Sequence, residues 1–273
     1  MGHLRQYHHD GLTFDVQDAG PQDGPPVVLL HGFPQDASAW DGVAGLLHER
    51  GVRTLAPHQR GYSVGARPVP ARAYALPWLV GDVLALLEAA GLERAHVVGH
   101  DWGGFVAWAL AAWHPERVSA VTVLSTPHPA ALRWAVRHAG QARRSWYVGA
   151  FQVPLLPELV LARMMDRGAL VRTGLPAPDA QRYARRLGTR QALRGPVNWY
   201  RGARVRGTPA VGTVAVPTTF AWGSKDPFLG RAAAERTSRH VRGDYRFVEL
   251  DGGHWLPERR PDQVAQAVLS RTG

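Results

Sequence analysis

A chain of 273 residues is long enough to bury one large core, and 45% apolar residues with ten tryptophans exclude a disordered polymer. The absence of cysteine excludes disulfides and thiolate metal sites. The net charge of +10 comes almost wholly from arginine, since Lys225 is the only lysine.

That charge is unevenly spread. Between Pro127 and Gly212 there are 15 arginines against Glu158, Asp166 and Asp179, while the remainder is near neutral. No RNA- or DNA-binding motif accompanies the arginines, so the stretch reads as a solvated helical surface and no nucleic-acid partner is expected. No window offers about 18 successive apolar residues, so no membrane span is expected. The segment MGHLRQYHHDGLTF lacks the apolar run of a secretion signal, and Gln6 stands where a myristoylation pattern needs Ser or Thr. A cytoplasmic protein is the expectation.

In chain order, LTFDVQD (12–18) and PPVVLLHG (25–32) read as strands, the second a continuous apolar run suited to a buried parallel position. Ser38-Ala-Trp-Asp41 resembles a capping box opening a helix that ends near Gly51. VRTLAP (52–57) is the next strand, and Pro77 to Ala90 a helix stopped by Gly91. AHVVGH (95–100), GGFVAWALAAWHP (103–115) and RVSAVTVLS (117–125) follow as strand, helix and strand. Residues 127–212 then show only helical periodicity, as in PELVLARMMDR and DAQRYARRLGTRQAL. VPTTFAWG (216–223) and YRFVELDG (245–252) resume the strands, separated by a helix over RAAAERTSRHV and followed by one from Pro261. This alternation predicts an α/β fold with a mostly parallel, doubly wound sheet. The core would comprise residues 1–126 and 213–273, interrupted by an all-α lid at 127–212.

The chemistry concentrates at strand ends. In VVGHDWGG (97–104), Asp101 sits where a strand turns into a helix, with Gly99 and Gly103 two residues to either side. That spacing suits the sharp corner on which G-x-S-x-G hydrolases mount a nucleophile. An aspartate before a helix is also a common N-cap. Chain order favours the nucleophile. GSKDPFL places Asp226 after the strand at 218–222, and DGGHWLPE places His254 after the strand at 245–250. Nucleophile, acid and histidine thus follow in triad order at the carboxyl ends of the strands, where open parallel sheets hold their sites. HGFPQ (31–35) lets the backbone N–H of Phe33 face Asp101, forming an oxyanion hole with that of Trp102. His96 and His100 are four apart but on a strand, so no metal site is expected.

HGFPQ, GHDWGG, GSKDPF and GGHW, together with SWYVGAFQVPLLPE (145–158) and NWYRG (198–202), resemble the α/β-hydrolase-fold epoxide hydrolases over nearly the whole chain. In that family two lid tyrosines point at the substrate oxygen, and Tyr147 and Tyr200 match their positions. One departure stands out. The family usually has an acidic residue where His58 stands in APHQRGYS, which puts in question a charge pair with Arg60.

The resemblance implies a small apolar epoxide and water as substrates, with no cofactor. A carboxylate with a reference pKa of about 4 is ionised at neutral pH and attacks carbon without a base. Two phenols with pKa about 10 suit protonation of the ring oxygen, and His254 with Asp226 suits activation of water against the resulting ester. Phe151, Trp199, Phe228 and Trp255, with Trp102, Phe105 and Trp134, are candidates to line the pocket. A haloalkane dehalogenase shares the aspartate but uses N–H donors for halide, and Phe33 stands where an asparagine often serves. A non-catalytic ligand- or nucleic-acid-binding member of the fold is the third reading.

Overall fold

The computed structural model describes residues 2–272. Eight strands form one sheet in the order β1-β2-β4-β3-β5-β6-β7-β8: β1 (Gln6–His9), β2 (Leu12–Ala19), β3 (Pro26–Leu30), β4 (Arg53–Pro57), β5 (Ala95–His100), β6 (Val118–Leu124), β7 (Thr218–Gly223) and β8 (Tyr245–Leu250). The β1–β2 and β2–β4 pairs are antiparallel and all others parallel. The central strands carry the longest apolar runs because helices cover both faces. Every residue of β4, β5 and β7 is buried, and Val27 to Leu30 are inaccessible. Each fully buried Val, Leu or Phe among them contributes about 1.5–3 kcal/mol.

Helices α1 (Asp41–His48), α2 (Leu76–Ala89) and α3 (Trp102–Trp113) follow β3, β4 and β5. Seven more, α4 (Pro129–His138), α5 (Gln141–Arg144), α6 (Trp146–Ala150), α7 (Leu156–Asp166), α8 (Ala169–Arg172), α9 (Ala177–Leu187) and α10 (Arg190–Gly202), lie between β6 and β7. After β7 come α11 (Arg231–Arg236), α12 (Leu256–Arg259) and α13 (Pro261–Leu269). Among the described residues no helix is long and apolar enough to cross a membrane.

Local details depart from the expectations. β1 is an added strand, and the helix over RAAAERTSRHV ends at Arg236 and gives way to a 3-10 turn, Thr237–His240. Three further details differ. Ser38 is not the cap: Asp36 accepts from the Ser38 N–H at 2.9 Å and opens a 3-10 turn, Ala37–Trp40, ahead of α1. The run 179–193 is not one helix, because α9 stops before Gly188 and Thr189 caps α10 by accepting from the Ala192 N–H. Arg60 does not depend on position 58. Its guanidinium donates in a fork to Asp82 of α2, at 2.8 and 2.7 Å, while His58 Nδ1 accepts from the Ala37 N–H. The charge partner of Arg60 is Asp82, in a bidentate buried pair.

Candidate active site

The loops following β3, β5, β7 and β8 meet at the carboxyl end of the sheet, bringing Phe33, Asp101, Asp226 and His254 together. Asp101 has φ +51° and ψ −118°, a conformation that costs a non-glycine residue on the order of 1–3 kcal/mol. The packing around the corner holds it there. A Cβ on Gly103 would lie 2.1 Å from the Leu30 carbonyl oxygen, so only glycine lets α3 start this close to β3. The Thr126 hydroxyl donates to the Asp101 carbonyl at 2.7 Å.

The Asp101 side chain is not an N-cap, since it makes no capping bond to α3. Oδ1 instead accepts from the Phe33 N–H at 2.9 Å, and Oδ2 stands 3.5 Å from Nε2 of His254. Burial alone would raise the carboxyl, but the adjoining His254 and the Phe33 N–H hold it below the usual carboxylate range. The Trp102 N–H is the first of α3, where helical amides have no intrahelical partner.

His254 is buried, and its Nδ1–H donates to Oδ2 of Asp226 at 2.8 Å. Oδ1 of Asp226 accepts from the N–H groups of Phe228 and Leu229 at 2.8 and 3.0 Å, so both carboxylate oxygens are engaged. The His254 carbonyl accepts from the Ser125 hydroxyl and His100 Nε2, each at 2.9 Å. Burial would lower the imidazole, but the charges of Asp226 and Asp101 outweigh it and push its pKa up to about 10.

Over this floor lies a cavity of about 940 Å³, lined by Phe33, Asp101 and His254 below and by α6, α7, α8 and α10 above. Tyr147 of α6 and Tyr200 of α10 both line it, their ring centroids 6.1 Å apart. Phe151 meets Tyr147 edge-on at 5.7 Å and Tyr200 at 4.7 Å, and Phe33 meets Tyr200 at 5.4 Å. Burial, and then the charge of Asp101, pushes both phenols above their ordinary range, so both are protonated at neutral pH.

Phe151, Phe228 and Trp255 also line the cavity, whereas Trp199 does not. Trp199 is buried behind it, its indole N–H donating to the Arg60 carbonyl at 2.7 Å. Trp102, Phe105 and Trp134 stand outside the lining as well. Trp134 stacks on His138 and lies under Arg236, with the guanidinium carbon 4.0 Å from a ring centroid. α7 also supplies Leu156, Val160 and Met164, spaced four apart, with Pro157, Leu161 and Met165 beside them. No motif marks these positions, although the i, i+4 spacing is legible in the sequence. His96 Nε2 meets the Thr122 hydroxyl at 2.9 Å, while the two ring nitrogens of His100 meet Oε1 of Gln35 and the His254 carbonyl at 2.8 and 2.9 Å.

A family model described as the α/β-hydrolase fold matches residues 25–261. The chain is 34% identical to "AB hydrolase superfamily protein YfhM" of Bacillus subtilis, covering 95% of this chain and 94% of the relative. It is equally 34% identical to "Epoxide hydrolase A" of Mycobacterium tuberculosis, with the same coverage. The crystal structure of epoxide hydrolase A from Mycobacterium thermoresistibile superposes with a TM-score of 0.82 at 30% identity, covering 98% of this chain and 97% of the other.

Proposed function

The chain belongs to the α/β-hydrolase-fold epoxide hydrolases, and on that premise we propose that it hydrolyses an apolar epoxide to a vicinal diol through an ester on Asp101. One observation carries the reading: a carboxylate, a histidine and two protonated phenols line the same apolar cavity.

In the first half-reaction an Asp101 oxygen attacks a ring carbon and the carbon–oxygen ring bond breaks. The electron pair goes to the ring oxygen, an alkoxide that leaves readily only if protonated. Tyr147 and Tyr200 donate to it, and one of them gives up its proton. In the second half, His254 takes a proton from water as the water oxygen adds to the ester carbonyl carbon. The Phe33 and Trp102 N–H groups face the resulting oxyanion. Before the water adds, the proton that the imidazolium sheds on esterification of Asp101 restores the phenol. Collapse then breaks the bond between that carbon and the diol oxygen, which takes the proton of the added hydroxyl, so that Asp101 returns as a carboxylate and the diol leaves. Asp226 keeps the imidazole in the tautomer whose Nε2 faces the ester and stabilises its charge.

The charge balance is self-timing. While Asp101 is anionic it helps keep His254 protonated and unable to act as a base. Alkylation removes that negative charge, so the imidazole becomes more acidic when its lone pair is needed. The helical stretch 127–212 serves as the lid, contributing both tyrosines and most of the apolar lining.

A parallel assay of styrene-type and aliphatic epoxides against haloalkanes tests the assignment, reading diol and halide separately. Diol from epoxides without halide release is the expected outcome. Halide release without diol establishes a haloalkane dehalogenase instead, and inactivity on both classes overturns the catalytic reading.

A further inference from the structure

The mouth of the cavity is apolar where a water-soluble enzyme would ordinarily be polar. Trp146 is 71% exposed although it lines the cavity, and Leu156, Val160 and Met164 line it while remaining 55%, 42% and 44% exposed. The last three are spaced four apart on α7 and form one stripe along its outer side. Leu155 and Leu159 widen that stripe without entering the cavity. A contiguous exposed apolar patch at the rim of a site marks an interaction surface.

The same rim is positively charged. Arg143, Arg144 and Arg172 line the opening, and Arg163 and Arg167 stand on the last turn of α7 and just past it. Arg144 is held by the carbonyls of Asp226 and Pro227, at 3.2 and 3.1 Å. Between residues 141 and 172 the carboxylates are Glu158 and Asp166. Glu158 is buried and paired with Arg201 at 2.6 Å, leaving Asp166 alone to oppose five arginines.

We infer that this rim docks on an anionic lipid surface, with Trp146 and the α7 stripe entering the headgroup boundary and the arginines meeting lipid phosphates. An apolar face ringed by arginine is the pattern of interfacial proteins, and tryptophan favours that depth. A second copy of this chain would bring its own arginines against the first set. A protein partner over the opening would close the route to Asp101. A bilayer satisfies both the apolar patch and the charge, and it also concentrates an apolar epoxide at the entrance.

Co-sedimentation with vesicles of phosphatidylcholine, with and without phosphatidylglycerol, at low and high salt, tests the inference. The intact chain should bind the anionic vesicles at low salt and lose them at high salt. Arg163→Gln with Arg167→Gln should weaken binding about ten- to thirty-fold, at roughly 1 kcal/mol per basic residue. Leu155→Ser with Leu159→Ser should also weaken it, whereas Arg50→Gln with Arg242→Gln, on the core, should leave it intact. None of these six residues lines the cavity, so turnover of a water-soluble epoxide should be unchanged in every variant. Equal binding to both vesicle types, an equal loss in the core variant, or a stable dimer that shields Trp146 overturns the inference. Vesicle binding is read without turnover, so it stands or falls separately from the epoxide assignment.

Discussion

Nε2 of His254 stands 3.5 Å from Oδ2 of Asp101, beyond an ordinary N–H···O hydrogen bond but close enough for an ion pair. The imidazole therefore neighbours the carboxylate without being its proton acceptor, an arrangement that separates the roles of the two groups. Asp101 can attack carbon with His254 absent, but its ester then has no base beside it. His254→Gln should consume one equivalent of epoxide and stop. Intact-mass spectrometry should show the protein heavier by the mass of the epoxide, with the adduct on Asp101. If epoxide is consumed with no adduct formed, or if the adduct maps elsewhere, Asp101 is not the nucleophile.

The two half-reactions should respond differently to pH. Ester formation needs ionised Asp101, held below its ordinary range, and protonated Tyr147 and Tyr200, held above theirs. Both conditions persist across neutral and mildly alkaline pH, so the rate of alkylation should be flat there. Ester hydrolysis needs neutral His254, whose pKa of about 10 in the free protein falls once the Asp101 charge is lost. Its rate should rise with pH and level off at a midpoint below 10. Single-turnover kinetics resolve the two phases, and a hydrolytic phase that slows as pH rises would contradict the assignment of His254 as base.

Tyr147 and Tyr200 approach the cavity from different helices, so each phenol can be removed without moving the other's backbone. Loss of one donor to a developing oxyanion typically costs about 3 kcal/mol. Tyr147→Phe and Tyr200→Phe should each slow ester formation about a hundred-fold and leave the ester hydrolysis phase nearly unchanged. The double variant should be almost inactive. Rapid-quench measurement of the alkylated protein distinguishes this from a loss of binding, and unimpaired ring opening in the double variant removes the tyrosines from the mechanism.

Gly32 is a position where one methyl group should suffice to disable the site. A Cβ there would lie 2.3 Å from Cβ and 2.7 Å from Oδ1 of Asp101. The Asp101 backbone and Cβ are fixed by the corner, so turning the carboxylate cannot relieve the clash. The loop carrying Gly32 and Phe33 must shift, which breaks the alignment of the Phe33 N–H with Oδ1. Gly32→Ala should lose about a hundred-fold or more in ester formation, because a misdirected nucleophile forfeits its orientation. Its circular dichroism spectrum should stay native. Full activity in a folded Gly32→Ala protein would show that the Phe33–Asp101 contact does not orient the attack.

The local signals in the sequence reached as far as single strands, helices and turns. Asp101, Asp226 and His254 were legible because each follows its own apolar run at a glycine- or proline-marked turn. β1 escaped because Gln6, His8 and His9 look like loop, yet buried Tyr7 stacks on Phe14 at 4.8 Å and pins the edge. Trp199 was misplaced because an aromatic beside a site tyrosine carries no sign of which helix face it occupies. The Asp82 partner of Arg60 depends on how α2 packs, 22 residues away, and no local pattern reports that.

A second group of this kind is Glu258, which no motif marked. One of its oxygens accepts from both the Gln35 amide, at 2.8 Å, and the Tyr183 hydroxyl, at 2.9 Å. The other is buried without a partner. Burial raises the carboxyl from about 4.5 to about 7, against the pull of those two donors. Gln35 also accepts from the Gly32 N–H at 2.9 Å, so Glu258 ties the helix carrying Tyr183 to the loop carrying Phe33. A carboxyl that is a weaker acid folded than unfolded stabilises the fold most below pH 4.5, and that stability drains away as pH rises through 7. In Glu258→Gln the amide oxygen can still accept both hydrogen bonds, but the group cannot ionise. The variant should lack this loss and be more stable than the parent at pH 8 by up to about 3 kcal/mol. Urea unfolding at pH 5 and pH 8 measures the difference, and a stability gap between the two proteins that does not grow with pH would mean that Glu258 is already ionised in the folded chain.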